Sequence, residues 1–298
     1  MSTLPLTFYH TWRQLDTEAR FRAMCEFAAG GGGIVVNTFL LKLLCSDYGY
    51  TFVDELRHQA EKAGAKFIDA HAPFHAYGDL FIPAERERKL TVARHKLHLA
   101  FVRDLGVDTC TFHVGSDPVA GYTLAQHREA FYRSLDELLP AAADMGITIC
   151  LENLFRPLSS VDDLLGYLKR YDAPNLALCL DVGHANLKEF GVNFPGNQVE
   201  EAWRFVGLEV PWEKRIVERM LPYAATCHIH DNRGYHDDHD LPGRGIVEWK
   251  RIVPLLLAAP KLRCIHSEVE AVKYGVTIPE LCRTVRELFG SGGENSIM

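Results

Sequence analysis

Six short apolar runs in this 298-residue chain each end in a side chain that binds protons or metal ions. They deliver His71 in FIDAHA, His113 in CTFHVG, Glu152 in TICLEN, Asp181 in ALCLDVG, His228 in TCHIHDN and Glu268 in CIHSEVE. Taken singly, any of these is equally a core histidine or a carboxylate in an ion pair. Taken together they demand more, because carboxylates crowded into one volume repel each other unless a cation neutralises them. A divalent metal is therefore expected. Two histidines with two carboxylates suit zinc or manganese, and carboxylates with water suit magnesium or manganese.

Loop residues extend the set. His184 follows Asp181 on the turn DVGHAN, and Asp237 and His239 sit in YHDDHDLPG. As an isolated string HDDHD is a solvated acidic loop, but its place just beyond His228 nominates both residues. These three, with His71 and His113, are candidates for further metal or substrate contacts. His184 and Arg233 are the candidates for binding substrate hydroxyls or a phosphate, since a guanidinium pairs well with phosphate or carboxylate. Glu270 shares the strand parity of Glu268 and rivals it as a ligand. His266 points inward but deeper, and is expected to be a core histidine satisfied by a neighbour. His75, His230 and His236 are read as supporting groups.

The spacings between the six strand-end residues are 42, 39, 29, 47 and 40, about one strand-plus-helix unit each. Two more β-branched runs, LTFYH near 6–10 and GIVVNT near 33–38, bring the strands to eight. Amphipathic helical patterns alternate with them, several stopped by glycine, and Pro140 is expected to kink or break one of them. The GGGG at 30–33 reads as a helix stop and a tight turn rather than a phosphate loop. Alternation of this kind predicts an α/β fold, a single (β/α)8 TIM barrel over residues 1–290 with a flexible tail at 291–298. An open doubly wound sheet is the alternative. In a parallel barrel the carboxyl ends of the strands meet at one mouth, and every second side chain points inward. Counting back from Glu152, Asp181 and His113 then places Cys150, Cys179 and Thr111 inside, small side chains below a polar crown.

Composition fits a soluble globular protein, with 47% hydrophobic and 24% charged residues and a net charge of −7. That balance weighs against nucleic acid as a partner. The amino terminus lacks the pattern of a secretory leader, and the run at 34–45 is too short and too polar to span a bilayer. A cytoplasmic protein with no membrane partner is expected. Eight cysteines without a CxxC pair, Cys45 among them, read as small core hydrophobes in a reducing compartment.

The motifs HAPF (71–74), FHVG (112–115), LEN (151–153), LDVGHAN (180–186), HIHDN (228–232), DLPGRG (240–245) and SEVE (267–270) resemble those of the xylose-isomerase-like barrel superfamily, which includes the AP endonuclease family 2. The resemblance runs from about residue 30 to 290. It implies a metal-dependent sugar or sugar-phosphate isomerase or epimerase that abstracts a proton next to a carbonyl through a metal-stabilised enediolate. In the epimerases of that group one ion is held by residues that fall here on Glu152, Asp181, His228 and Glu268, and the two glutamates are the acid/base pair. A keto-inositol or sugar dehydratase would use the same residues. In the endonuclease IV branch, a zinc phosphodiesterase acting on abasic DNA, three zincs take nine ligands. Those fall on His71, His113, Glu152, Asp181, His184, His228, Asp237, His239 and Glu268, so more than one ion has donors. Against the nuclease stand the acidic charge, the missing glycine-rich segment before the first strand, and the absence of a loop able to wedge into DNA. The partner implied is a small sugar or sugar phosphate, and related barrels often form homo-oligomers.

Overall fold

The computed structural model describes residues 4–10, 17–44, 49–75, 78–189 and 194–290. Eight strands appear where the apolar runs place them: β1 Leu6–Phe8, β2 Gly33–Val36, β3 Phe67–Ala70, β4 Thr109–Phe112, β5 Thr148–Glu152, β6 Leu176–Asp181, β7 Ala224–Ile229 and β8 Cys264–Ser267. Every pairing is parallel, in the spatial order β3-β2-β1-β8-β7-β6-β5-β4. A single bridge closes the ring between the end strands. It joins His71 to Thr111, with the Ala72 amide donating to the Thr111 carbonyl at 2.8 Å. The seam of the barrel therefore runs through one of the candidate site residues.

Eleven α-helices surround the strands among the described residues: α1 Thr17–Ala29, α2 Thr38–Leu44, α3 Gly49–Ala63, α4 Glu85–Asp104, α5 Leu124–Asp144, α6 Val161–Tyr171, α7 Val182–Lys188, α8 Gln198–Phe205, α9 Ile216–Met220, α10 Trp249–Leu257 and α11 Ile278–Gly290. Their starts follow capping chemistry. Thr123 and Gln126 form a reciprocal capping box on α5, and Ser160, Asp181 and Asn197 cap α6, α7 and α8. Pro140 does not end its helix, because α5 runs on through it to Asp144. Gly31 has a left-handed φ of 68° that turns the chain from α1 into β2, as the glycine run implies.

The strands divide the core in two. Side chains of one parity, including Phe112, Leu151, Leu178, Leu180, Ile229 and Ile265, pack outward under the helices. Each such burial contributes about 1.5–3 kcal/mol. The other parity faces the barrel axis. There Cys150 and Cys179 form a small separate cluster with Ala225, the β7 residue skipped where the β6–β7 register shifts, Thr111 meets Thr226 across the bore, and Thr109 donates to buried Asp69 at 2.7 Å. Narrow side chains below leave room at the mouth for wide polar ones. Seven cysteines are unpaired, and six of them are buried. Cys45 and the tail at 291–298 lie outside the described residues. No helix among the described residues is long and apolar enough to cross a membrane.

Candidate metal centre at the barrel mouth

All six strand-end residues meet at one place. His228 Nδ1 lies 3.4 Å from Glu152 Oε1, 3.3 Å from Glu268 Oε1 and 3.7 Å from Asp181 Oδ2. Yet this fully buried nitrogen has no hydrogen-bond partner among the described residues. Four ligand atoms set about 2.1 Å from one tetrahedral ion stand about 3.4 Å apart. The three distances from His228 lie close to that spacing, and the donor atoms of Glu152, Asp181, His228 and Glu268 all stand within 4.8 Å of one another.

Neighbouring residues build two further groups. His71 and His113 converge on Glu152 Oε2, at 3.2 and 3.0 Å. His184 Nε2 and His239 Nε2 converge on Asp237 Oδ2, at 3.1 and 3.2 Å. The groups His71–His113–Glu152 and His184–His230–Asp237–His239 each place their donor atoms within reach of one ion, and Glu152 belongs to two groups.

The hydrogen bonds on the far side of the rings test whether a metal fits. His71 Nδ1 faces the Ala72 carbonyl at 2.8 Å, His184 Nδ1 the Asn153 carbonyl at 3.0 Å, and His239 Nδ1 the Glu268 carbonyl at 2.9 Å. A carbonyl only accepts, so each Nδ1 carries the proton. In a neutral ring Nε2 then presents a lone pair. That lone pair points at a carboxylate oxygen in all three cases, which is repulsive unless a cation lies between. A proton on every ring would serve, and so would a metal ion. An Nδ1–H held by a carbonyl, leaving Nε2 toward the ion, is the usual arrangement of a ligating histidine. The residues present fit divalent ions.

The carboxylates bias protonation strongly. Burial would lower His71, His184, His228 and His239, yet adjacent negative charge raises all four, His239 to about 10. Burial likewise would raise the glutamates. Instead His228 and His113 hold Glu152 well below the usual range, and His228 and His266 hold Glu268 at about 2. At His113 burial wins and its value falls.

Local sequence explains the positioning. Asn153 of the LEN motif clamps the end of β6, accepting from the Asp181 amide at 2.7 Å and donating to its carbonyl at 2.9 Å. Asp181 also caps α7 by accepting from the His184 amide. Gly183 has a spatial reason, since a Cβ there would come within 2.0 Å of the His230 ring. Asp231 holds the following loop through the Gly243 and Val247 amides and the Trp249 indole. His239 is fixed at φ 52°, a left-handed conformation that costs a non-glycine residue on the order of 1 kcal/mol.

Above the donors opens a cavity of about 480 Å3, lined by His71, His113, Glu152, His184, Asp237, His239 and Glu268 at its base. Glu270 is exposed at its rim and paired with Lys273 at 3.2 Å, so the donor group takes Glu268. Arg233 is not brought there. Its side chain is 62% exposed and paired with Asp240. His266 is not satisfied: neither ring nitrogen has a hydrogen-bond partner among the described residues, and its Nδ1 stops 3.6 Å short of Asp69 Oδ2. Asp69, two positions before His71 and of the same parity, joins the inward set without having been a candidate. His230 proves closer to the donors than a supporting role implies, with Nε2 3.2 Å from Asp181 Oδ2 and its ring stacked 4.0 Å from that of His239. The HIH alternation carries that signal.

Residues 41–280 match the family described as xylose isomerase-like TIM barrel. The protein MJ1311 of Methanocaldococcus jannaschii is 29% identical over 230 residues, 74% of this chain and 70% of the relative. Among solved structures, a D-psicose 3-epimerase crystallised in the presence of D-fructose superposes with a TM-score of 0.69 at 15% identity, over 97% of this chain and 98% of that one. The TTHB071 protein of Thermus thermophilus, soaked with ZnCl2, superposes with a TM-score of 0.63 at 22% identity, over 97% and 99%.

Proposed function

The chain belongs to the xylose isomerase-like TIM barrel family, and from that premise we propose that it is a metal-dependent isomerase or epimerase of a keto-sugar or sugar phosphate. The observation that carries this reading is the His228 centre, where Glu152 and Glu268 reach one nitrogen from strands β5 and β8 at 3.4 and 3.3 Å. Glu152, Asp181, His228 and Glu268 would hold a divalent ion, which would polarise the substrate carbonyl and stabilise the negative charge that builds on its oxygens.

The protein's own groups divide the proton work. Glu152 is buried among four imidazoles, those of His71, His113, His184 and His228. They keep its carboxylate ionised and fix its direction. It is the group to take the proton from the carbon beside the carbonyl. The side chain of Glu268 is 13% exposed against 1% for Glu152, so it exchanges protons with solvent more readily. Ionised at rest, it would draw a proton from solvent and deliver it to the opposite face, inverting the centre, or to the neighbouring carbon, isomerising it.

A second reading, hydrolysis of a phosphodiester at an ion cluster, is favoured by the existence of further donor groups beyond the one formed by Glu152, Asp181, His228 and Glu268. Elemental analysis of the purified protein, with turnover assays on a panel of ketoses and on DNA containing abasic sites, separates the two. Bound divalent metal with turnover of a ketose is the expected result. Zinc-dependent nicking at abasic sites with no ketose turnover would replace the first reading by the second.

A further inference from the structure

Below the mouth the bore carries donors that the proposed reaction does not use. Asp69 and His266 are both 0% exposed. Asp69 Oδ1 accepts from the Thr109 hydroxyl at 2.7 Å, but Oδ2 has no hydrogen-bond partner among the described residues. His266 Nδ1 stands 3.6 Å from that oxygen, too far for a hydrogen bond, and Nε2 stands 3.9 Å from Glu268 Oε1. Thr7, the register partner of His266 on β1, adds a buried hydroxyl that is also unpartnered among the described residues. Burying a carboxylate is costly unless its charge is paired or bound to a metal. Among the described residues no lysine or arginine pairs with Asp69, and His266 is the basic group beside it. Asp69, His228 and His266 each place a donor atom within 4.8 Å of the others, and neither Asp69 nor His266 belongs to a donor group of the mouth.

We infer that a structural divalent ion of the zinc class sits in the bore, held by Asp69 and His266 with His228 as third donor, and that it braces the barrel at its seam. The 3.6 Å gap between the first two donors is close to the separation of about 3.4 Å around one tetrahedral ion. Two imidazoles with one carboxylate favour zinc and its first-row neighbours over magnesium or calcium. The Thr109 hydroxyl fixes the carboxylate from behind, as outer partners fix metal ligands. Water would satisfy the orphaned atoms but leave the Asp69 charge uncompensated. The three donors lie on or next to β3, β8 and β7. β3 and β4 end the strand order and are joined by the single bridge His71–Thr111. An ion on Asp69 ties that weakly joined strand to two others across the bore. It would be present whichever reaction the mouth performs.

The test is diffraction from zinc-soaked crystals at the zinc absorption edge, with zinc per chain counted in solution. Wild type should show an anomalous peak between Asp69 and His266, and Glu268→Gln, which alters the mouth, should keep it. Asp69→Asn should lose the peak and bind about one zinc fewer per chain. Its Tm should gain less from added zinc than that of wild type, since an ion bound only by the folded state stabilises that state. His266→Leu gives the same readouts should Asp69→Asn fail to fold, and the wild-type map needs no variant. Peaks confined to the mouth, or density in the bore without anomalous signal, overturn the inference. So does an unchanged zinc count in both variants.

Discussion

Buried histidines occupy two neighbourhoods of this barrel, and burial affects them in opposite ways. His95 and His98 on α4 are 0% and 5% exposed. Desolvation pushes them down to about 4 and about 3, and the charges that act on them, Arg94 and for His98 also Lys42 and His95, add to the fall. His95 Nε2 donates to the Gly78 carbonyl at 2.8 Å and its ring packs against Phe112. These are neutral core side chains. His71, His184 and His228 at the mouth are equally enclosed, yet their affinity for protons rises, because carboxylates stand beside them. Enclosure alone therefore says nothing about chemistry. What marks His71, His184 and His239 at the mouth is that a neutral ring cannot satisfy the acceptors found at both of its nitrogens.

Glu152→Gln breaks that arrangement most deeply, since Glu152 stands in two donor groups. Turnover should fall by at least about a thousandfold, at the upper end of what acid/base groups contribute. Bound metal should fall with it, and the circular dichroism spectrum should be retained. His95→Leu, in the other neighbourhood, should leave turnover within a few-fold of wild type. Equal damage from both would dissolve the distinction between the two sets of histidines. A smaller effect is expected from His239→Ala, which removes one donor from the group around Asp237. About 10–100-fold lower activity or metal affinity is the usual scale for losing such support. Unchanged metal content and unchanged rate would mean that a proton alone joins His184 and His239 to Asp237.

The strands and their inward residues are legible in the sequence because both follow a fixed rule. Apolar runs bounded by turns give strands, and a period of two gives the inward face. That rule places His71, His113, Glu152, Asp181, His228 and Glu268 correctly on the mouth, and carried one step further back it also finds Asp69. Short elements are less legible. All seven residues of α7 are buried, so it shows no amphipathic stripe, and Asp181 is at once its cap and a member of a donor group. Loop side chains follow no period at all. Nothing in the order of residues reveals that Arg233 turns out to Asp240 and away from the cavity. Nor does parity reveal whether an inward histidine finds a partner, which is why the expectation of a satisfied His266 fails.

The smallest expected effect concerns the α4 pair and is read through pH. The folded-state affinities of His95 and His98 for protons lie below the ordinary value of 6.5, at about 4 and about 3. The unfolded chain therefore binds protons that the folded chain refuses as the pH falls below 6.5. The stability these groups contribute is complete above that value and is lost on the way down toward 4 and 3, at up to about 1.4 kcal/mol per pH unit for each histidine. His98→Leu keeps an apolar side chain in the same pocket and removes one of the two protons from that balance. Its midpoint for thermal unfolding should drop less between pH 7 and pH 5 than that of the wild type, with the difference confined to the acid limb. Arg94, Lys42 and His95, the groups that act on His98, remain in the variant, so a parallel pair of curves would mean that His98 is solvated rather than held neutral. Acid loss at the mouth should behave differently. There the carboxylates are released only as they protonate, and repeating the scan on metal-loaded and on chelator-treated protein separates the two limbs, since the α4 pair has no carboxylate beside it and should give the same curve in both.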